Sequence, residues 1–153
     1  IAHTLYGKWI IERIFMKKQL AFLATFLVVS AAQASEASLT VYQDPNCGCC
    51  TGWAEHMRES GFEVKQVKTR DMASVKEKLG VPVQLGSCHT AVMDETGQVV
   101  EGHVPASVVH KLLGNPAMKG VAAPGMPTNA PGMGPLDGNL VTVDFQGRPF
   151  SRD

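Results

Sequence analysis

Apolar positions change period several times along the chain, and each change marks an element. The run Leu39-Thr40-Val41-Tyr42 predicts a first, short strand that enters a turn at Pro45-Asn46. From Thr51 to Ser60, Trp53 and Met57 share one face and Glu55, Arg58 and Glu59 lie outside, so a helix is expected there, closed by Gly61. Phe62, Val64 and Val67 alternate with charged and polar residues, one position out of step, and predict a second strand. Asp71 is placed to cap a helix to Leu79 whose apolar side is Met72, Val75 and Leu79, stopped by Gly80-Val81-Pro82. A strand then opens at Cys88-His89-Thr90 and runs through Ala91, Val92 and Met93; Glu95-Thr96-Gly97 turns the chain into a returning strand, Gln98 to Glu101. Pro105 suits the first turn of a last helix, with Val108, Val109, Leu112 and Leu113 inward and Gly114-Asn115-Pro116 at its end.

The order is βαβ, a further helix, a β-hairpin and a helix. It predicts an α/β fold on the thioredoxin plan, a small mixed sheet with helices on both faces. The tail departs from that plan. Ala123-Pro124-Gly125-Met126 is echoed by Ala130-Pro131-Gly132-Met133, in a stretch too rich in Pro and Gly for helix or sheet. Leu140 to Phe145 alternates as a final strand, with Gly147 in a turn behind it. The expectation is a thioredoxin-like domain at 35–114 and a Pro/Gly/Met-rich C-terminal extension at 115–153, ending in a strand and packed on the domain. Both Pro-Gly-Met units would then lie across the domain's surface.

Residues 16–34 read differently. Met16-Lys17-Lys18 is basic, Leu20 to Val29 is apolar apart from Thr25, and Ala32-Gln33-Ala34 is a small-x-small cleavage signal. Together they predict a cleavable secretory signal peptide, too short to span a membrane. Ile1 to Phe15 reads as upstream translated sequence outside the fold. Charge is balanced over the whole chain, with 14 Lys+Arg and 14 Asp+Glu. From Ser35 on there are 10 basic and 13 acidic residues, a net charge of about −3. With no basic patch or arginine run, nucleic acid is not an expected partner. No membrane association is expected after signal cleavage, and the chain is expected to be a monomer.

Three of the four cysteines, Cys47, Cys49 and Cys50, crowd into the loop between the first strand and the first helix. The backbone N–H groups and the dipole at a helix N-terminus favour a thiolate there. Cys47 and Cys50 form a CxxC pair of the redox type, and whether they are joined as a disulfide is left open by the sequence. Cys49 is surplus to such a pair. Neighbouring side chains diverge, so Cys49 and Cys50 do not easily grip one tetrahedral ion together, whereas three crowded thiolates suit the bridging of several soft ions. Zinc sites use two separated pairs of ligands, a poor match to three cysteines and one alone. Cys88 lies where a thioredoxin-like chain runs beside its CxxC loop, which would bring a fourth sulfur to the same point.

Thiolate and thioether donors select Cu(I). Met126 and Met133, on a segment where no core needs them, therefore tip the expectation toward copper. His89 and His103 are candidate imidazole ligands for either oxidation state. Met57 and Met72 are expected to be packing residues, and His56 and His110 solvated ones. The expected metal ligands are thus Cys47, Cys49, Cys50, Cys88, His89, His103, Met126 and Met133, with Cys47 and Cys50 as the redox-active pair.

Asp44-Pro45-Asn46-Cys47-Gly48-Cys49-Cys50, Gly80-Val81-Pro82, Ser87-Cys88-His89-Thr90, Glu101-Gly102-His103-Val104-Pro105 and Pro124-Gly125-Met126-Pro127 resemble the CopG-type family of DUF411 metal-binding proteins. The resemblance covers most of Leu39 to Phe145. It implies an exported, periplasmic protein of bacterial copper resistance, with copper beside the CxCC loop and cysteine sulfur bridging more than one ion. It also suggests interconversion of Cu(I) and Cu(II), and efflux or carrier proteins of the periplasm as partners. Two other readings stay open: a passive copper carrier without turnover, and a thiol–disulfide oxidoreductase cycling Cys47 and Cys50.

Overall fold

The computed structural model describes Glu36 to Asp153; the expected signal peptide and the residues upstream of it lie outside the described residues. Within them the chain forms a mixed α/β fold of one seven-stranded sheet and three α-helices. In chain order these are β1 (Ser38–Gln43), α1 (Gly48–Glu59), β2 (Glu63–Lys68), α2 (Met72–Leu79), β3 (His89–Met93), β4 (Val99–Glu101), α3 (Ala106–Leu113), β5 (Gly120–Ala122), β6 (Val141–Asp144) and β7 (Pro149–Arg152). The sheet order is β2-β1-β3-β4-β5-β6-β7. β1 runs parallel to β2 and β4 to β5, and the other neighbours are antiparallel.

Alternation along the strands sorts the side chains onto two faces. One face carries Leu39, Val41, Ala91, Met93, Val100 and Val121, packed under Trp53 and Met57 of α1 and Val108, Val109 and Leu112 of α3. The other buries Val81, Leu85, Val99, Ala122 and Phe145, with Leu79 of α2 against them. Met57 is a packing residue, as expected, and Met72 is half-buried on α2. Asp71 caps α2 through the Ser74 backbone N–H.

Several elements differ from the sequence expectation. α1 begins at Gly48 rather than Thr51, with Cys47 as its N-cap residue. Glycine and cysteine are weak helix formers, but first-turn positions do not depend on propensity alone. Here an Asp44 turn sets up the entry, accepting from Asn46 N through its side chain and from Cys47 N through its carbonyl. β5 was not expected. It is three residues long, and a Cβ on Gly120 would collide with the Val99 carbonyl oxygen and the Phe145 ring, so glycine is what lets this strand approach β4. β7 was not expected either, because it opens with Pro149 on the sheet edge. Strands β5 to β7 therefore continue the same sheet. His56 is half-buried rather than solvated, and its Nε2 accepts from the Ala106 N–H at the start of α3. His110 is exposed, with its ring against Phe62.

Candidate metal centre

The β1–α1 loop and the entry to β3 meet at the same end of the sheet, because β1 and β3 are direct neighbours with Gln43 opposite His89. Cys47 ends the loop, and Cys49 and Cys50 fall in the first turn of α1. Cys47 and Cys50 are joined as a disulfide, with Cα atoms 5.3 Å apart. Cys49 and Cys88 are free thiols. Cys49 Sγ lies 3.5 Å from Cys47 Sγ, and Cys88 Sγ lies 3.5 Å from Cys50 Sγ. Cys49 and Cys50 thus face different partners, yet all four sulfurs stay within 4.8 Å of one another.

Cys88 also belongs to a second cluster, with His89 and His103. His103 Nε2 is 3.0 Å from Cys88 Sγ, and His103 Nδ1 is 2.7 Å from the Pro131 carbonyl oxygen. A carbonyl only accepts, so Nδ1 carries the proton and donates, leaving the Nε2 lone pair aimed at the sulfur. An outer partner on one ring nitrogen that fixes the tautomer and turns the other inward is the usual arrangement for a metal-binding histidine. His89 Nδ1 is 3.4 Å from Cys88 Sγ, while its Nε2 is buried without a hydrogen-bond partner. Leaving such an atom unpaired costs about 1–3 kcal/mol, so the cluster is not arranged for stability alone. The His89 ring sits 4.5 Å from that of Trp53 and 4.8 Å from that of His103.

The Pro/Gly segment closes one side of this cluster. Gly132 has φ +81° and packs so closely on α1 that a Cβ would lie 2.6 Å from both Cys49 O and Trp53 N. Seated there, the segment delivers the Pro131 carbonyl to His103. Met126 is 47% exposed and stands at the rim, its sulfur 3.9 Å from Ser87 Oγ, next to Cys88. Met133 is half-buried in a turn closed by its N–H on Ala130 O. Of the eight expected ligands, the structure therefore gathers Cys47, Cys49, Cys50, Cys88, His89 and His103, and places Met126 beside Ser87.

The donor set fits a soft metal. Thiolates around a tetrahedral ion at zinc–sulfur distances sit about 3.8 Å apart, so the spacing alone admits several metals, and the sulfur-rich composition favours Cu(I). With Cys47 and Cys50 bonded to each other, only two thiols are available, and a four-sulfur site requires that disulfide to be reduced. Burial, followed by the neighbouring Cys49, pushes the Cys88 thiol up to about 11. It is therefore protonated at neutral pH, and a metal ion must displace its proton.

Burial likewise holds His89 well below the ordinary histidine range, with His103 and Lys76 adding to the effect, and burial lowers His103 too. These groups are neutral in the folded protein and titrate near pH 6.5 when unfolded. The unfolded state thus takes up the proton first, and stability is lost as pH falls below about 6.5. The expected slope from His89 alone is about 1.4 kcal/mol per pH unit, with His103 adding in the same direction. Urea denaturation of the metal-free protein at pH 7.5, 6 and 5 measures this, and a flat profile through that window would contradict neutral buried imidazoles.

The sequence reading missed the groups that hold this cluster in place. Gly102 has φ +73°, and a Cβ there would lie 2.6 Å from Ser87 Cβ, so only glycine lets the segment before β3 lie against the end of β4. The Glu101 carboxylate accepts from the Ser87 N–H at 2.6 Å. Neither contact has a periodic signature. The Pro131 carbonyl is a backbone acceptor and leaves no trace in residue type.

The family model described as "Protein of unknown function, DUF411" matches residues 85–133, which include Cys88, His89, His103 and the Pro-Gly-Met repeat. Two solved structures of a copper resistance protein, CopG (Form 1 and Form 2), are each 40% identical to the chain, covering 77% of it and 98% of their own length with a TM-score of 0.67. The chain belongs to the CopG-type DUF411 family. No curated protein matches it. The family model covers the β3 side of the cluster, and the structural relatives extend over most of the chain. Among the described residues, no helix is long and apolar enough to cross a membrane.

Proposed function

We propose that this chain is a periplasmic copper-binding protein of copper resistance that holds more than one copper ion on a cysteine-bridged site and interconverts Cu(I) and Cu(II). The observation that carries the reading is the convergence of four cysteine sulfurs within 4.8 Å, one of them shared with two buried histidines. Cys47, Cys49, Cys50 and Cys88 supply the soft donors, and His89 and His103 tolerate both oxidation states. Met126 and Met133, on the Pro/Gly segment, supplement them. Membership of a family whose solved relatives are described as copper resistance proteins supports the choice of metal.

The redox step balances on the CxxC pair. Two Cu(II) ions accept one electron each from the reduced pair Cys47 and Cys50, giving two Cu(I), one disulfide and two protons. The reverse direction oxidises Cu(I) and reopens the disulfide. The βαβ unit and the β2-β1-β3-β4 part of the sheet order support a thioredoxin-like origin for the 35–114 region, with 115–153 as an extension of it. An exported chain released from its signal peptide as a monomer, passing copper to periplasmic efflux or carrier proteins, fits this reading.

Copper content after anaerobic and aerobic purification, with absorption spectra of each, tests the proposal. More than one copper per chain is expected in the reduced protein, and Cys49→Ser should lower the number. Unchanged copper content in Cys49→Ser would remove the bridging role. The Cys47–Cys50 disulfide also favours a second reading, a thiol–disulfide oxidoreductase. That activity would reduce insulin without metal and would be lost with Cys47 but kept in Cys49→Ser and Cys88→Ser. A passive carrier would bind copper yet show no redox cycling with physiological donors.

A further inference from the structure

On the sheet face opposite the histidines lies a closed polar network that the copper chemistry does not use. Glu101, at the end of β4, is fully buried. Its Oε1 accepts from the Ser87 N–H and from Lys76 Nζ of α2, and its Oε2 accepts from Thr90 Oγ1 at 2.6 Å. Lys76 also donates to Thr90 Oγ1 at 2.9 Å, so α2, β3, β4 and the segment before β3 are tied at one point. Ser87 is held from the other side as well, its hydroxyl donating to Gly125 O at 2.6 Å.

A buried ion pair is a poor way to gain stability. Removing each ion from water costs several kcal/mol, and apolar residues of similar volume often do as well. What this pair supplies here is geometry. Ser87 is the residue immediately before Cys88, so a bond to its N–H acts directly on the backbone that carries Cys88. We propose that Glu101 is a positioning residue for Cys88: its carboxylate, held by Lys76 and Thr90, anchors the Ser87 N–H and so sets the Cys88 sulfur between Cys50 and His103 before any metal arrives. The purpose of that placement rests on the copper reading, but the placement itself is testable without metal.

In a Cys49→Ser background with the Cys47–Cys50 disulfide intact, Cys88 is the one free thiol, and its alkylation by iodoacetamide can be followed by mass spectrometry. Glu101→Gln, nearly isosteric, keeps one acceptor oxygen but removes the charge that Lys76 holds in place. The bond to the Ser87 N–H should then weaken and the Cys88 alkylation rate rise about tenfold with an unchanged circular dichroism spectrum. Thr90→Val, which removes one donor and leaves the carboxylate in place, should give a smaller rise and serves if Glu101→Gln does not fold. A rate within twofold of the parent in the folded variants overturns the proposal. With the pair reduced, Glu101→Gln should weaken Cu(I) binding about tenfold, and Glu101→Gln/Cys88→Ser should bind no more weakly than Cys88→Ser. Additive losses would show that Glu101 does not act through Cys88 and would equally overturn it. If alkylation accelerates while the parent takes up no copper, the positioning role stands and the copper reading falls.

Discussion

Cys88→Ser is expected to weaken Cu(I) binding by at least about a hundredfold, since loss of even outer partners of metal ligands costs ten- to a hundredfold. Cys88 is the one residue common to both clusters, the four sulfurs and the sulfur with two imidazoles. Removing it takes a soft donor from the first and the shared atom from the second, leaving His103 Nε2 and His89 Nδ1 without their nearest neighbour. Serine has nearly the same shape, and Cys88 is half-buried, so the fold should keep its stability within about 1 kcal/mol. Competition against a chromophoric Cu(I) chelator, anaerobically and with the disulfide reduced, measures the loss. Met126→Leu, at the exposed rim, should cost far less. Wild-type affinity in Cys88→Ser would mean that the loop cysteines bind copper by themselves.

Gly132→Val is expected to destabilise the protein strongly. The position has φ +81°, where a side chain costs about 1–2 kcal/mol and a β-branched one more. Its Cβ would also lie 2.6 Å from Cys49 O and from Trp53 N. These are backbone atoms of α1 and cannot swing aside, so a further overpacking cost of about 1–3 kcal/mol applies. A total loss of about 2–5 kcal/mol is expected from urea denaturation, unless the segment lifts away. In that case His103 loses its Pro131 partner, and the loss reappears as weaker copper binding with less effect on stability. A variant unchanged in both would show that the segment does not rest on α1.

The contrast between these two positions shows what could be read before the structure. Cys88 was identified from the residues themselves, since a thiol at the mouth of the strand beside a CxxC loop has few places to go. Gly132 was seen only as part of a Pro-Gly-Met repeat, and the contact that makes it necessary is with a helix eighty residues earlier in the chain. Met126 carried the same sequence signal as Met133, and only the fold set its sulfur 3.9 Å from Ser87 Oγ, next to Cys88. Glu101 ended a strand of ordinary pattern and gave no sign that its carboxylate would be buried on a lysine.

Local chemistry alone determined the strand, cysteine loop and helix at 39–60, the Asp71 cap, the β3–β4 hairpin and the irregular Pro/Gly stretch, because each depends on residues within a turn or two of one another. The tertiary structure decided the rest. β5 and β7 exist because neighbouring strands offer hydrogen bonds to segments too short or too proline-bound to declare themselves. The metal cluster exists because antiparallel pairing of β1 with β3 carries Cys88 and His89 to the loop cysteines. A sequence states which donors are present, but which of them meet is settled by long-range pairing, where periodicity carries no information.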